Sequence, residues 1–438
     1  MSGIFFAIVL IAFLVAAYRQ VTGETVIVDD GVQTPMEALS TAVIDAASGA
    51  VTLSLGLIGV MALFLGLMKV AEHGGLLVVI AKTVRPLMVR LFPEVPADHP
   101  AMGAMILNLS ANVLGLGNAA TPFGIRAMQE LDKINPVKGT ATNAMALFLA
   151  INTSSVTILP TGVIAIRAAA GSADPAGIVP TTLVATICST TMAIIMAKLL
   201  QRYFPAGPVA GMEPQAETDA EDDHDENHEG LESATDAYPL WVSALALGCL
   251  IGLVPLTVAY GKTIAPWIIP GLMIALLSFG MAKRVPIYES FVEGAKDGFQ
   301  VAVRIIPYLV AILVAVGMFR ASGAMELLIV PLSVITEPLG MPAEALPMAL
   351  LRPLSGSGAY GIMASIINDP NVGPDTYTGY LVSTLQGSTE TTFYVLAVYF
   401  GAVQIKRIRH ALAAALSADL VGIIAAVVIC SILYGSLA

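Results

Sequence analysis

Apolar residues in this chain fall in continuous runs about as long as a bilayer-spanning helix, not at the spacing of a one-sided surface helix or strand. In the first half the runs lie near 3–18, 47–70, 140–168 and 178–202. In the second they lie near 240–260, 264–282, 299–320, 376–402 and 408–435. No convincing small-residue cleavage motif follows the first run, Ile4 to Ala17, so it reads as a retained span and not a signal peptide. Two further apolar stretches, 99–133 and 343–368, are interrupted by Gly, Pro and polar residues and do not read as simple spans. The pattern predicts an all-α polytopic membrane protein with about nine spans.

The two halves carry a common motif order. Asn152-Thr153-Ser154-Ser155-Val156-Thr157 aligns on Gly387-Ser388-Thr389-Glu390-Thr391-Thr392, each in the middle of an apolar span. Upstream, Gly115-Leu116-Gly117 and Gly124-Ile125 resemble Gly356-Ser357-Gly358-Ala359 and Gly361-Ile362. Each half therefore runs span, amphipathic stretch, glycine-rich broken segment, hydroxyl-rich broken span, final span.

Basic residues supply the orientation. Lys133 and Lys138 precede the first hydroxyl-rich span, whereas Lys406, Arg407 and Arg409 follow the second, so the halves are expected to be inverted repeats, as in many secondary transporters. Lys198, Arg202, Lys283 and Arg284 fit the same scheme and put the N-terminus and the segment between the halves in the cytoplasm. On this scheme 99–133 starts and ends inside and 343–368 starts and ends outside, which makes each a re-entrant hairpin.

Composition sharpens the reading. Of 438 residues 56% are hydrophobic and 12% are charged, with a mean hydropathy of +0.81. Soluble domains carry about 25% charged residues, so a cytosolic enzyme, a nucleic-acid binder and a disordered scaffold are excluded. The net charge of −11 is local: eleven acids lie between Glu213 and Asp236 with no base among them, and the remainder balances at 21 acids against 21 bases. Residues 205–238 thus form an acidic linker between a membrane domain at 1–204 and another at 239–438. His224 and His228 within it read as solvated residues, not metal ligands. Cys188, Cys249 and Cys430 sit singly in apolar runs, giving neither a disulfide framework nor a metal site.

Polar groups at membrane depth are tolerated only where buried in protein or lining a wet cavity. The first hairpin carries Asn108, Ser110, Asn112, Asn118 and Thr121, and the following span carries Asn143, Asn152, Thr153, Ser154, Ser155 and Thr157. The second half adds ionisable groups: Arg352 before Ser355-Gly356-Ser357-Gly358, and Glu390 within Gln386-Gly387-Ser388-Thr389-Glu390-Thr391-Thr392. A charge at the bilayer centre marks function by default. Arg352 and Glu390 are each other's expected partners or the two poles of a site, and their alternative is a purely structural pair. Hydroxyls can also serve helix packing. Asp419 is a further intramembrane acid, ranked below Glu390. His73 and His99 read as surface groups. No GxxxxGK loop, HExxH helix or GxSxG elbow is present, which argues against a nucleotide-driven pump or a recognisable hydrolase.

The stretch Asn108-Leu-Ser-Ala-Asn-Val-Leu-Gly-Leu-Gly-Asn-Ala-Ala-Thr-Pro-Phe-Gly124, with Leu149-Ala-Ile-Asn-Thr-Ser-Ser155, resembles spore maturation protein A. Arg352-Pro-Leu-Ser-Gly-Ser-Gly358 and Gln386 to Gly401 resemble spore maturation protein B. The chain looks like a fusion of the two, members of the nucleoside recognition (Gate) group whose name is shared with parts of nucleoside and ferrous iron transporters. In spore formers these proteins are linked to core dehydration. The resemblance implies membrane transport without supplying a substrate, and a fused form need not come from a spore former.

Three functions are thus weighed. The first is a secondary transporter in the bacterial inner membrane, working as a homo-oligomer on a small polar solute that is nucleoside-like, amino-acid-like or an organic anion, with a proton or sodium as coupling ion and no other cofactor. By analogy with concentrative nucleoside transporters, its two hairpins and two broken spans would slide as an elevator around a site built from Asn112, Asn118, Thr121, Asn152, Thr153, Ser154, Ser155, Arg352, Ser355, Ser357, Gln386, Ser388, Thr389, Glu390 and Thr391. The second is a membrane module that organises an envelope process without transport. The third, an intramembrane enzyme using Ser or Thr as a nucleophile, lacks a general base beyond Glu390.

Overall fold

The computed structural model describes residues 2–28, 31–115, 117–154, 156–205 and 238–437. The acidic linker, with His224 and His228, falls outside the described residues. The chain opens with α1 (Ser2–Val21) and a two-stranded antiparallel ribbon, β1 (Val26–Val28) with β2 (Gly31–Gln33), which the hydropathy pattern did not predict. Everything else described is helical or connecting.

The first repeat begins with α2 (Pro35–His73), started by a capping box in which Thr34 and Glu37 exchange side-chain and backbone hydrogen bonds. Those bonds from Thr34 hold the Glu37 carboxyl below its ordinary range. The amphipathic α3 (Leu76–Leu91) follows at 70° to the end of α2. Next come the hairpin α4 (Pro100–Val113) and α5 (Gly117–Lys133), the broken pair α6 (Asn143–Thr153) and α7 (Thr161–Ala169), and α8 (Ile178–Leu200).

The second repeat starts with α9 (Leu240–Ala282), where two spans were expected and one uninterrupted helical element is found. A straight helix of that length would measure about 65 Å. Its two ends nevertheless meet the same α2–α3 elbow: the Tyr238 N–H donates to the Lys82 carbonyl and Ser243 Oγ to that of Thr83, while Gly280 abuts Val70 and Phe279 abuts Gly74. The element therefore bends back on itself, and the chain leaves on the side from which it entered. There follow α10 (Ile287–Ala321), α11 (Ala324–Thr336), the hairpin α12 (Leu346–Leu351) and α13 (Gly356–Ile367), the broken pair α14 (Tyr377–Ser388) and α15 (Thr392–Ala402), and α16 (Ala411–Tyr434).

Two symmetric pairings hold the repeats together. Helices α2 and α10 run antiparallel at close range because small residues face each other: Gly317 meets Ala42 and Ala46, Gly298 meets Ala62, and Gly294 meets Leu65. A Cβ on Gly298 would lie 2.7 Å from backbone atoms of Ala62. The Gly294 and Gly298 spacing is the small-residue packing device of membrane helices. Helices α8 and α16 form the second pair. The offset of 235 residues that places Asn152 on Gly387 also places α8 on α16 and α6 on α14.

Among the described residues, Pro175–Leu200 and Ala411–Leu437 are each long and apolar enough to cross a bilayer unaided. Two cores frame the broken pairs. One joins α7, the second hairpin and α14 through Val163, Met348, Met363 and Leu381. The other joins the first hairpin, α6 and α15 through Met105, Met128, Phe148 and Phe400. The breaks lie where these two cores meet.

Candidate functional site

Both broken pairs start alike: Thr142 and Thr376, preceding α6 and α14, each accept a backbone N–H from three residues on. They then cross as antiparallel partners. At one end the Ala141 N–H donates to the Arg407 carbonyl, and the Lys406 and Arg407 N–H groups donate to Gly139. At the other, Asp375 accepts from Ser172 Oγ at 2.5 Å and from the Ala173 N–H at 2.7 Å. Exchanging the repeats by the 235-residue offset turns a contact between 141 and 407 into one between 376 and 172, beside the one observed. The inversion expected from the lysines and arginines is thus present in the backbone pairing.

At the midpoint the breaks touch, with the Glu390 N–H donating to the Thr153 carbonyl at 2.7 Å. Each break also bonds its own hairpin tip: Ile158 N–H to the Val113 carbonyl at 3.1 Å, and Phe393 N–H to the Pro353 carbonyl at 3.2 Å. Ile158 and Phe393 are equivalent under the same offset. Gly115 makes the first contact feasible, since it adopts φ +77° and a Cβ there would lie 2.5 Å from the Leu159 carbonyl oxygen. Two hairpin tips and two helix breaks are therefore joined by one chain of backbone hydrogen bonds.

Arg352, 4% exposed, is spent on this framework. Its Nε donates to the Gln386 carbonyl at 3.0 Å, its Nη2 to the Thr389 carbonyl, and its Nη1 to Thr391 Oγ1 at 3.0 Å. Gln386 and Thr389 end α14, so the guanidinium satisfies carbonyls that have no helical partner and offsets the negative end of the helix dipole. The Glu390 carboxylate lies 3.7 Å from Nη2 with its side chain 52% exposed. Arg352 and Glu390 do meet, as expected, but carbonyls and a hydroxyl take the guanidinium's hydrogen bonds.

The first repeat contributes amides. Asn112 Nδ2 donates to Asn152 Oδ1 at 2.9 Å, Asn152 Nδ2 to the Phe148 carbonyl at 3.0 Å, and Asn108 Nδ2 to the Ala120 carbonyl at 2.7 Å and the Tyr399 hydroxyl at 3.1 Å. Tyr399 in turn donates to Asn152 Oδ1 at 3.4 Å, linking the repeats. A Cβ on Gly124 would collide with the Tyr399 hydroxyl at 2.1 Å, so this glycine is what admits the ring.

The remaining expected residues divide by role. Thr153 and Ser154 hydroxyls bond back to Ala150, Ser388 bonds back to Leu385, and Ser355 caps α13 by accepting from the Gly358 N–H at 3.0 Å. The Ser154 carbonyl accepts from Thr190. Gln386 Oε1 is buried without a hydrogen-bond partner among the described residues. Thr121 is half-buried on α5. The side chains of Asn118 and Ser357 and the whole of Ser155 fall outside the described residues.

Tyr399 was not singled out from the sequence, and neither was Arg167, which is fully buried. Arg167 donates to the Pro374 carbonyl at 2.6 Å, to Ser172 Oγ, the Asp174 carbonyl and Asp375 Oδ1 at 3.1 Å each, and lies 4.3 Å from the Tyr380 ring centroid. It locks the exit of α7 to the entry of α14. It lies near the end of the apolar run 140–168, and no motif around it marks its partners in the sequence.

At the opposite end, Arg409 Nη1 donates to the Ala141 carbonyl and Nε to that of Phe204. The adjacent His410 is fully buried, with neither ring nitrogen hydrogen-bonded among the described residues. Burial, reinforced by the Arg409 charge, pushes its pKa down to about 4. The unfolded chain takes up this proton near the ordinary value of 6.5 and the folded one does not until about 4, so stability falls as pH drops through that window. His410→Phe is expected to flatten the pH dependence of thermal unfolding there and leave neutral pH little changed; an unaltered profile would contradict it.

Residues 54–170 and 302–406 match the family described as nucleoside recognition, Gate. The chain belongs to the Gate family. The N-terminal half is similar to spore maturation protein A of Bacillus subtilis (strain 168), 46% identical over 169 residues, 39% of this chain and 84% of that protein. The C-terminal half is similar to spore maturation protein B of the same organism, 48% identical over 168 residues, 38% of this chain and 93% of that protein. The two matched segments bracket the hairpins and broken pairs just described. Among solved structures, CNTnw in an inward-facing substrate-bound state aligns over 98% of this chain and 90% of its own at 13% identity and a TM-score of 0.47. The YdaH transporter of Alcanivorax borkumensis aligns over 99% and 98% at 17% identity and a TM-score of 0.41.

Proposed function

We propose that this Gate-family membrane protein is a secondary transporter of a small polar solute, with its site at the crossing of the two broken pairs. The observation that carries the reading is the single hydrogen-bonded chain through both hairpin tips and both breaks. Helix ends brought together there supply fixed partial charges of both signs; Asn152, bonded to Asn112, precedes the Thr153 whose carbonyl accepts the Glu390 N–H, and the Glu390 carboxylate is half-exposed. With Arg352 engaged by carbonyls, recognition falls to amides, hydroxyls and Glu390. That set suits a solute rich in hydrogen-bond donors, nucleoside-like or amino-acid-like, better than an organic anion.

The two hairpins and broken pairs would move as a unit against a scaffold containing α2, α3, α9 and α10, driven by a proton or sodium gradient. The lysine- and arginine-bearing ends, the N-terminus and the acidic linker would face the cytoplasm, with the protein sitting as a homo-oligomer in the inner membrane.

One observation favours the second reading, a membrane module acting without transport: among the described residues the hydrogen bonds of Arg352 go to the carbonyls and hydroxyl of the second break. Uptake of labelled nucleosides, amino acids and organic anions into liposomes holding the purified protein separates the two. The transport reading expects saturable, gradient-dependent uptake of one donor-rich class. A folded protein that moves none of the panel under either gradient supports the second.

A further inference from the structure

Asp419 lies on α16 against the second break and is 3% exposed. Its Oδ2 accepts the Thr392 hydroxyl at 2.6 Å, and its Oδ1 is buried with no hydrogen-bond partner among the described residues. Thr392 is the first residue of α15, so this one bond ties the restart of the broken pair to α16. The packing around it is close: a Cβ on Gly422, one turn further on, would lie 2.9 Å from the Thr389 methyl, and Ser189 of α8 donates to the Ala418 carbonyl at 2.9 Å.

The neighbours present hydroxyls: Thr392 from α15, Thr389 from the break and Ser189 from α8. Helix α6, also packed on α16, contains no charged residue. The charge whose field reaches the carboxyl is that of Arg352, whose hydrogen bonds go to Gln386, Thr389 and Thr391. On α16 and its approach the nearest charged residue in sequence is Arg409.

A carboxylate out of water needs partners on both oxygens, and one bare oxygen makes the ionised form costly. We infer that Asp419, and not Glu390, is the proton-carrying acid of this fold, neutral with its proton on Oδ1 while the break is closed and ionised when α15 separates from α16 and water reaches that oxygen. The proton leaves to water and returns from it, with no other bond made or broken. Glu390 emerges half-exposed at the break, 3.7 Å from Arg352. The role of Asp419 in coupling rests on the transport reading above; its protonation does not.

Infrared spectroscopy of the purified full chain tests this through the carbonyl stretch of a protonated carboxyl, which ionised carboxylates lack. At neutral pH the band is expected in the wild type, lost in Asp419→Asn and kept in Glu390→Gln. Thr392→Val, which removes the hydroxyl from Oδ2, should shift the band without abolishing it and serves if Asp419→Asn fails to fold. Modification by dicyclohexylcarbodiimide, read by peptide mass spectrometry, should fall on Asp419, decline as pH rises and be indifferent to sodium. A band insensitive to both the Asp419 and Thr392 substitutions, or protection by sodium at constant pH, overturns the assignment. If the band behaves as expected and liposomes still move no solute, the transport reading fails and the protonation stands.

Discussion

Arg352→Ala is expected to lower the unfolding free energy by about 3–5 kcal/mol, the usual cost of removing one partner from a buried charged network. The magnitude follows from what is left behind. The Gln386 and Thr389 carbonyls, at the end of α14, lose their donor, and an unpaired buried polar group costs about 1–3 kcal/mol. Arg352→Lys should recover only part, because an ammonium cannot present the planar fork that reaches two carbonyls and the Thr391 hydroxyl together. Glu390→Gln should cost less than about 1 kcal/mol, since its carboxylate is half-exposed and 3.7 Å from the guanidinium. Thermal or denaturant unfolding of the purified variants checks the order. Equal losses at Arg352 and Glu390 would restore the simple ion-pair view.

Arg167→Leu is the second large effect, again about 3–5 kcal/mol. The arginine is wholly buried and joins the exit of the first broken pair to the entry of the second through the Pro374 and Asp174 carbonyls, Ser172 and Asp375. Its loss leaves Asp375, among the described residues, held by Ser172 and the Ala173 N–H. Proteolysis of the purified variant should therefore open first between 170 and 176 and between 370 and 376. Unchanged stability with unchanged cleavage would show that the repeats are held elsewhere.

The inversion of the halves was legible because it is written in local features: a hydroxyl-rich motif occurring twice, and lysines and arginines on opposite flanks of its two copies. The hairpins were legible for a similar reason, since Gly115, Gly117, Gly356 and Gly358 interrupt apolar stretches. Partnerships across the repeats were not. Tyr399 reaches Asn108 and Asn152 from 291 and 247 residues away, and no periodicity in α15 distinguishes it from its aromatic neighbours.

Arg352 stands out in the sequence as a candidate, but its principal partners are backbone carbonyls, which every residue has and no sequence displays. Asp419 ranks below Glu390 in the sequence because it could equally pair with a neighbour or sit close to the cytoplasmic end of its span; only packing shows that Glu390 emerges at a break while Asp419 is enclosed with one bare oxygen. In α9 the apolar runs near 240–260 and 264–282 read as two spans. The backbone keeps its helical pattern through the bend instead, so the expected fold-back is present without an interruption.

The central claim is that the crossing of the two broken pairs handles a solute, and uptake into liposomes by wild type and Asn152→Leu side by side tests it most directly. Asn152 joins Asn112 to Tyr399 at that crossing, and its carboxamide is replaced by an apolar group of similar volume. The account predicts gradient-dependent uptake of one donor-rich solute class by the wild type and at least a tenfold lower rate, about 1.4 kcal/mol, for a folded Asn152→Leu. Undiminished uptake by that variant, or none by a folded wild type under either a proton or a sodium gradient, would contradict it.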